Sequence, residues 1–181
     1  MGKIGIIGAG VFGTALALTA TRAGNNVLCY ARNPETVDNI NKNHTNPKYL
    51  PHIPLSDKIC ATSRLKDIFD DTNTILLTTT AQATREILKQ ITPYIRKDTI
   101  IVFCAKGIEA QSGKLLSEIA KEEIPNATIA VLSGPGFAID IAQKKFVSVT
   151  IACPQKDIAE QLTQALGTPY FRPYIDRKSV V

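Results

Sequence analysis

Short apolar runs alternate with amphipathic stretches along almost the whole chain. Several runs, such as Ile100–Phe103, are continuously apolar, which is typical of strands that are buried on both faces of a sheet. The stretches between them have apolar residues at helical spacing on one side and polar residues on the other. The predicted strands are Lys3–Ile7, Asn26–Ala31, Lys58–Ala61, Thr74–Thr80, Thr99–Cys104, Thr128–Leu132, Val147–Ala152 and Tyr170–Tyr174. The predicted helices are Phe12–Ala23, Leu65–Phe69, Ala81–Ile91, Lys114–Glu123, Phe137–Gln143 and Gln155–Leu166.

This alternation predicts an α/β fold of the Rossmann type, with a doubly wound, mainly parallel sheet and helices on both faces. The length of 181 residues fits one domain, and 44% hydrophobic residues suffice for a sizeable core. One stretch, Asn39–Ser56, is rich in Asn and Pro and is predicted to be a long ordered loop. A loop of this size inside a compact domain is usually functional.

The charge of the chain is mildly positive, with a net charge of +5 and a pI near 9.0. The Lys and Arg residues are scattered, and no basic stripe with interleaved aromatic residues is present. This distribution argues against a nucleic-acid-binding protein and favours a small anionic ligand.

The cysteine and histidine positions indicate neither disulfides nor a metal site. The cysteines are Cys29, Cys60, Cys104 and Cys153. They form no CxxC pair, and the first three lie in apolar, strand-like runs, where cysteine usually serves as a small buried hydrophobe. We therefore expect free thiols and a cytoplasmic protein. The spacing of His44 and His52 matches no zinc site.

The uncharged segment Ile4–Thr21 is long enough for a membrane span, but its glycines indicate a different role. Gly8, Gly10 and Gly13 form a G-x-G-x-x-G pattern after a predicted strand and at the start of a predicted helix. In a dinucleotide site the first glycine makes a tight turn, the second lets the backbone approach the pyrophosphate, and the third lets helix and strand pack closely. The pattern therefore predicts a nucleotide cofactor at the helix N-terminus and no membrane span.

The end of the second predicted strand bears on the choice between NAD and NADP. An NAD-specific site tends to have a carboxylate there, about 20 residues after the glycines. Here the residues are Ala31-Arg32-Asn33, and the guanidinium of Arg32 suits a ribose 2′-phosphate. Glu35, the nearest acid, follows Pro34 and is expected to start the next helical turn. NADPH is therefore favoured over NADH, and the alternative is that Arg32 is an ordinary solvated charge.

Three later loops follow predicted strands at their carboxyl ends, where open α/β sheets bind ligands. They are Thr78–Gln82, Cys104–Glu109 and Leu132–Ala138. Lys106 comes directly after a buried strand and next to a glycine, which makes it a candidate ligand for a substrate. In isolation, a surface lysine at a strand end explains Lys106 better.

Several motifs together resemble bacterial NAD(P)-dependent glycerol-3-phosphate dehydrogenase over essentially the whole chain. The segments concerned are Gly8–Leu16, Ala31-Arg32, Asn46–Pro51, Cys104–Glu109 and Leu132–Ala138. This family interconverts sn-glycerol 3-phosphate and dihydroxyacetone phosphate with a nicotinamide cofactor, for phospholipid synthesis. The resemblance implies that Lys106 is catalytic, because it can polarise the carbonyl and offset phosphate charge. A homodimer is left open.

The resemblance also implies binding residues for the cofactor and for a small phosphorylated substrate. The implied NAD(P)H-binding positions are Gly8, Gly10, Val11, Phe12, Gly13, Arg32, Asn33, Tyr49, Lys106 and Ala138. The implied substrate-binding positions are Lys106, Gly134 and Gly136.

The chain departs from the family pattern at three places near these motifs and at its end. The family usually has Ser at the position of Val11, Ser or Thr at Gly136, and Val-Pro-Ser-Gln in place of Thr79–Gln82. It continues into a helical second domain with the lysine believed to be the general acid or base, whereas this chain stops at Val181. We interpret residues 1–181 as the NAD(P)-binding domain, cut short artificially or by an interrupted gene, and expect it to bind cofactor without turnover.

Two alternatives stay open on the residues alone. One is another small-substrate dehydrogenase with the same glycine loop, such as a ketopantoate reductase or a hydroxy-acid dehydrogenase. Such an enzyme has no need for the motifs Ala105–Glu109 and Leu132–Pro135. The other is a non-enzymatic module that senses a dinucleotide and binds a partner without turnover.

Overall fold

The computed structural model describes residues 2–176. The strands are β1 (Lys3–Ile7), β2 (Asn26–Tyr30), β3 (Ile59–Thr62), β4 (Thr74–Leu77), β5 (Ile100–Phe103), β6 (Thr128–Ser133), β7 (Val147–Ala152) and β8 (Phe171–Asp176). The helices are α1 (Val11–Arg22), α2 (Pro34–Asn43), α3 (Thr84–Ile91), α4 (Leu116–Glu123), α5 (Ala138–Ala142) and α6 (Lys156–Leu166). Short 3-10 turns occupy Leu65–Phe69, Ala81–Ala83 and Thr92–Tyr94.

The strands form one eight-stranded sheet in the order β3-β2-β1-β4-β5-β6-β7-β8. All neighbouring strands are parallel except β6 and β7, which pair antiparallel. The chain moves outward from β1 to β3 and then crosses back to β4 on the other side of β1, so the winding direction reverses between β1 and β4. A crevice forms at such a reversal, outside the carboxyl ends of the strands, and it is the usual ligand site of an open α/β sheet.

Two hydrophobic clusters, one on each face of the sheet, confirm that helices cover both faces. Successive strand residues point to opposite faces, so Ile6 belongs to one cluster and Ile7 to the other. The cluster around Ile6 includes Leu16 of α1 and Leu162 of α6. The cluster around Ile7 includes Leu88 of α3 together with apolar residues of α4. The predicted Rossmann-type architecture is therefore correct.

The predicted loop Asn39–Ser56 is wrong at its start, because α2 continues to Asn43. The start of the helix is stabilised by two residues. Asn33 caps it by accepting a hydrogen bond from the Glu35 N–H at 2.9 Å, and Pro34 occupies the first turn. It ends at His44, whose φ of 48° is left-handed. The asparagines that suggested a loop have low helix propensity. The burial of Ile40 in the core stabilises the helix by more than this low propensity costs.

The expected burial of Cys60 is also wrong, whereas Cys29 and Cys104 are buried as predicted. Cys60 lies on β3, the edge strand of the sheet, between the buried residues Ile59 and Ala61. Only one face of this edge strand is covered, so the alternation of side chains leaves Cys60 exposed. All four cysteines are free thiols.

No helix within residues 2–176 is long and apolar enough to cross a membrane. In the same part of the chain no three His, Cys, Asp or Glu side chains are grouped so that they could hold a metal ion.

Candidate functional site

The three glycines of the loop between β1 and α1 lie in three different environments. Gly8 has a φ of 114°, a left-handed conformation that favours glycine, and a Cβ there would lie 2.9 Å from Thr78 Oγ1. A Cβ on Gly13 would lie 1.9 Å from the carbonyl oxygen of Gly8, so this glycine allows α1 to pack against β1. A Cβ on Gly10 would meet nothing within 4 Å. The first and third glycines thus serve the fold, while the second keeps space open beside the backbone.

The N-terminus of α1 has the properties of a phosphate-binding helix end. Gly10 is its N-cap residue, and no side chain in the described part of the chain caps the helix. The N–H groups of the first turn are therefore available to a ligand, and the helix dipole favours an anion there. The open space at Gly10 lies beside these groups. A dinucleotide pyrophosphate fits both features.

A cavity of about 490 Å³ lies in front of the glycine loop; we call it the glycine-loop cavity. Its walls come from the glycine loop, the end of β2, the segment after α2 and the loop after β4. The lining residues include Gly8, Gly10, Tyr30, Arg32, Asn33, Thr36, Lys48, Tyr49, Thr78, Thr79 and Thr80. Five predicted cofactor residues, Gly8, Gly10, Arg32, Asn33 and Tyr49, are thus brought together around one cavity.

A second cavity of about 430 Å³ continues along the same edge of the sheet; we call it the Lys106 cavity. Its lining residues include Phe12, Thr78, Thr79, Thr80, Cys104, Lys106, Ser133, Gly134, Gly136, Phe137 and Ala138. Thr78–Thr80 line both cavities. Burial strongly raises the pKa of the Cys104 thiol, so this group is neutral near neutral pH. The two cavities together form one trough whose dividing wall is Thr78–Thr80.

Lys106 lies on the loop after β5, and its ammonium donates a hydrogen bond to the carbonyl oxygen of Gly134 at 3.0 Å. This contact links two of the predicted substrate residues across the Lys106 cavity. The third, Gly136, packs against β7: a Cβ there would lie 2.4 Å from Val147 Cγ1. The hydroxyl side chain that the family pattern has at this position would therefore require Val147 to move.

The loop that bears Lys106 is held by two side chains near the start of α3. The amide of Gln82 donates to the carbonyl oxygen of Ile108 at 2.8 Å and accepts from the N–H of Ala110 at 2.9 Å. The guanidinium of Arg85 forms a forked pair with the carboxylate of Glu109, with its shortest contacts at 2.9 Å. These contacts fix the loop at Glu109 and on both sides of it, and so limit where Lys106 can lie.

Glu109 is a nearly buried carboxylate, only 6% exposed. Its hydrogen bonds with Arg85, and then with Ser112, lower its pKa to about 2. Arg85 also pairs with Glu122 at 2.8 Å and with Glu123 at 2.7 Å, which ties the loop to α4. Glu109 therefore anchors the loop as a permanent anion near neutral pH and is not a proton donor.

The segment after α2 is attached to the glycine loop through Asn46, which is 1% exposed. The amide of Asn46 donates to the carbonyl oxygen of Ala9 at 3.0 Å and to Thr14 Oγ1 at 2.8 Å. The Asn46 backbone carbonyl accepts from the N–H groups of Tyr49 and Leu50, which closes a turn. Asn46 thereby holds this turn against the wall of the glycine-loop cavity.

Two predicted cofactor residues, Val11 and Gly13, line neither cavity. Gly13 is enclosed by its packing partners, and the side chain of Val11 is 41% exposed. The sequence interpretation missed Gln82, Arg85 and Asn46 as supports of the site. Glu109 was quoted only as part of the motif Cys104–Glu109, and no sequence signal identified it as a paired carboxylate.

The comparisons with known proteins agree with this geometry. A family model described as NAD-dependent glycerol-3-phosphate dehydrogenase N-terminus matches residues 3–159. The chain is 43% identical over 175 residues to the NAD(P)+ glycerol-3-phosphate dehydrogenase of Paramagnetospirillum magneticum, covering 97% of this chain and 63% of that protein. It is 45% identical over 173 residues to the enzyme of the same name from Maricaulis maris, covering 96% and 52%.

Among solved structures, the chain is similar to the glycerol-3-phosphate dehydrogenase of Coxiella burnetii, with a TM-score of 0.91 and 30% identity. That match covers 97% of this chain and 54% of the other. The chain therefore spans roughly half the length of the relatives that it matches.

Proposed function

Because the chain belongs to the NAD-dependent glycerol-3-phosphate dehydrogenase family, we propose that it is the NAD(P)H-binding part of an oxidoreductase acting on sn-glycerol 3-phosphate and dihydroxyacetone phosphate. Family membership sets aside the alternative of a ketopantoate reductase or hydroxy-acid dehydrogenase. Residues 1–181 form the nucleotide-binding domain in this proposal. The remaining length of the relatives corresponds to the helical substrate domain.

One observation supports the proposal above all: the glycine-loop cavity and the Lys106 cavity meet at Thr78–Thr80. An extended dinucleotide has two nucleotide halves joined by a pyrophosphate, which matches two cavities on either side of a phosphate-binding helix end. The adenosine half is assigned to the cavity with Arg32 and Tyr49. The nicotinamide half is assigned to the cavity with Lys106, where a small substrate has room beside it.

The cofactor, when bound, supplies the hydride that passes to or from the central carbon of the substrate. The chain's own residues bind and orient the cofactor and the substrate. Gly134 and Gly136 are assigned to the substrate in this proposal, and Phe12 and Ala138 to the cofactor. Lys106 is the one cation lining the Lys106 cavity among the described residues, so it is the group that can polarise the substrate oxygen and offset phosphate charge. Its hydrogen bond to the Gly134 carbonyl, at 3.0 Å, keeps the ammonium at the cavity wall.

NADPH is the preferred cofactor in this proposal. Arg32 lines the glycine-loop cavity at the end of β2, where a carboxylate would favour NADH. No Asp or Glu lines this cavity within the part of the chain that the structure describes. We place the reaction in the cytoplasm, where it serves phospholipid synthesis. A homodimer is a further part of the proposal, and analytical ultracentrifugation of the purified chain tests it.

The test is a titration of the purified chain with NADPH and NADH, followed by addition of dihydroxyacetone phosphate while NADPH absorbance is recorded. We expect nucleotide binding with negligible turnover, because half of the relatives' length has no counterpart in these 181 residues. Gly10→Val is the matched control: its side chain enters open space, so the variant should fold and fail to bind.

Absence of nucleotide binding by the folded chain would overturn the proposal. Turnover by the chain alone would contradict the expected need for further residues and make Lys106 the proton donor. The non-enzymatic module would be favoured instead by two results together. The chain would bind a protein partner only when the nucleotide is bound, and a longer protein that includes the further domain would show no turnover.

A further inference from the structure

The turn Asn46–Leu50 brings Lys48 to the wall of the glycine-loop cavity, which the end of β2 also lines. The position of the turn is fixed because Asn46 is hydrogen-bonded to the glycine loop and Leu50 is 2% exposed. The Lys48 backbone therefore has a defined position relative to the phosphate-binding helix end, although its side chain is exposed. A lysine on a free surface loop would have no such constraint.

The charged residues that line the glycine-loop cavity are all positive. Arg32 and Lys48 line it, and no carboxylate does within residues 2–176. Lys48 makes no ion pair with any described residue; its ammonium lies over the Tyr49 ring, 5.6 Å from the ring centre. Arg32 likewise has no hydrogen-bond or ion-pair partner in the described part of the chain. Two cations with free donors thus border one cavity from two different segments.

We propose that Lys48 is a specificity-determining residue that, together with Arg32, binds a phosphate on the 2′ position of the adenosine ribose. This inference rests on the proposed function. A ribose phosphate monoester has a charge of about −1.5 to −2 near neutral pH, so one guanidinium leaves part of its charge uncompensated. A second cation, which borders the same cavity from another segment, completes the compensation. A ribose without the phosphate gains little from Lys48, so the lysine separates NADPH from NADH.

The test compares NADPH and NADH affinities, measured by fluorescence titration, for the unmodified chain and for Lys48→Gln. We expect Lys48→Gln to weaken NADPH binding about five- to tenfold and to change NADH binding less than about twofold. NADH affinity therefore reports within the same experiment that the variant is folded. Lys48→Arg should keep most of the preference because it retains the charge.

Lys42→Gln is the matched control for net charge. Lys42 lies on α2 outside the cavity and pairs with Asp38 at 3.2 Å, so its loss should leave the NADPH-to-NADH ratio unchanged. The probes 2′,5′-ADP and 5′-AMP repeat the comparison without the nicotinamide half. We expect Lys48→Gln to weaken only 2′,5′-ADP, and added salt to reduce the difference between the two probes.

An unchanged NADPH-to-NADH ratio in Lys48→Gln, while the unmodified chain binds NADPH, would overturn this inference and leave the proposed function standing. An equal loss of both nucleotides would also overturn it, since Lys48 would then contact a part common to both. If the unmodified chain binds neither nucleotide, the proposed function fails, and this inference fails with it.

Discussion

The two cavities of the trough are built in different ways. One wall of the glycine-loop cavity, the glycine loop, is shaped by backbone: it has a left-handed Gly8, an open Gly10 and a closely packed Gly13 within six consecutive residues. The Lys106 cavity depends on side chains that meet across long stretches of chain, such as Arg85 with Glu109. The glycine loop is encoded by one short motif. The Lys106 cavity forms only once the sheet has brought its separate segments together.

The largest expected effect is on the free energy of unfolding, and it comes from changing Gly13, the third glycine of the glycine loop. Gly13→Ala places a Cβ 1.9 Å from the Gly8 carbonyl oxygen, so α1 must separate from β1. We expect a loss of about 3 kcal/mol or more in the free energy of unfolding. Urea denaturation followed by circular dichroism measures this change.

Gly10→Ala is the matched control, because its Cβ meets nothing within 4 Å. It should change the free energy of unfolding by no more than about 0.5 kcal/mol and weaken NADPH binding about tenfold or more, since the pyrophosphate needs that space. Equal stability of Gly13→Ala and the unmodified chain would show that the close packing of α1 and β1 is not required.

An intermediate effect is expected where the support of the Lys106 loop is removed. Arg85→Met leaves Glu109 nearly buried without its cation. The pKa of Glu109 is about 2 in the folded chain and 4.5 without these contacts. The stabilisation is therefore fully present above pH 4.5 and is lost as the pH falls towards 2. The difference in melting temperature between the two proteins should be largest near neutral pH and shrink across this window.

Hydrogen exchange separates this effect from general unfolding. Arg85→Met should speed amide exchange in the loop Ala105–Ser112 and leave the exchange rates of α1 and β1 unchanged. Lys89→Met, on the exposed side of the same helix, should change neither the pH profile nor the exchange. A difference in melting temperature that is constant with pH would contradict the assigned role of the Glu109 carboxylate.

The sequence predicted the sheet well because several of its strands are continuous apolar runs. The bounds of β1 and β7 were predicted correctly, and β4 was predicted too long because the threonines after Leu77 resemble strand residues. The error in burial lies at the edge of the sheet. The exposure of Cys60 follows from the position of β3 in the strand order, which apolar patterning of one segment does not contain.

The candidate site was predicted in part, with the same division between local and distant contacts. Gly8, Gly10 and Arg32 were identified from a motif and from a strand end, and they line one cavity together. Asn46 was assigned to a loop, yet it is buried against Thr14, 32 residues earlier in the chain. Sequence spacing contains no trace of such a pair, so only the fold reveals it.

The smallest effect expected concerns the wall between the two cavities. The Thr79 hydroxyl oxygen is buried and has no hydrogen-bond partner among residues 2–176. Thr79→Val keeps the branched shape and removes the unpaired oxygen, which should raise the free energy of unfolding by about 1 kcal/mol. Urea denaturation again measures the change.

The neighbouring residue Thr78 provides the opposite case, because its hydroxyl donates to the Gly8 carbonyl oxygen at 2.7 Å. Thr78→Val should therefore lower the free energy of unfolding by roughly 1 kcal/mol, since it removes this hydrogen bond from a partly buried acceptor. Destabilisation by Thr79→Val as well would contradict the assignment and show that a water molecule or a rotated hydroxyl satisfies Thr79. Opposite signs for two adjacent threonines would show that the wall is fixed to the glycine loop through Thr78, while Thr79 only fills the space between the cavities.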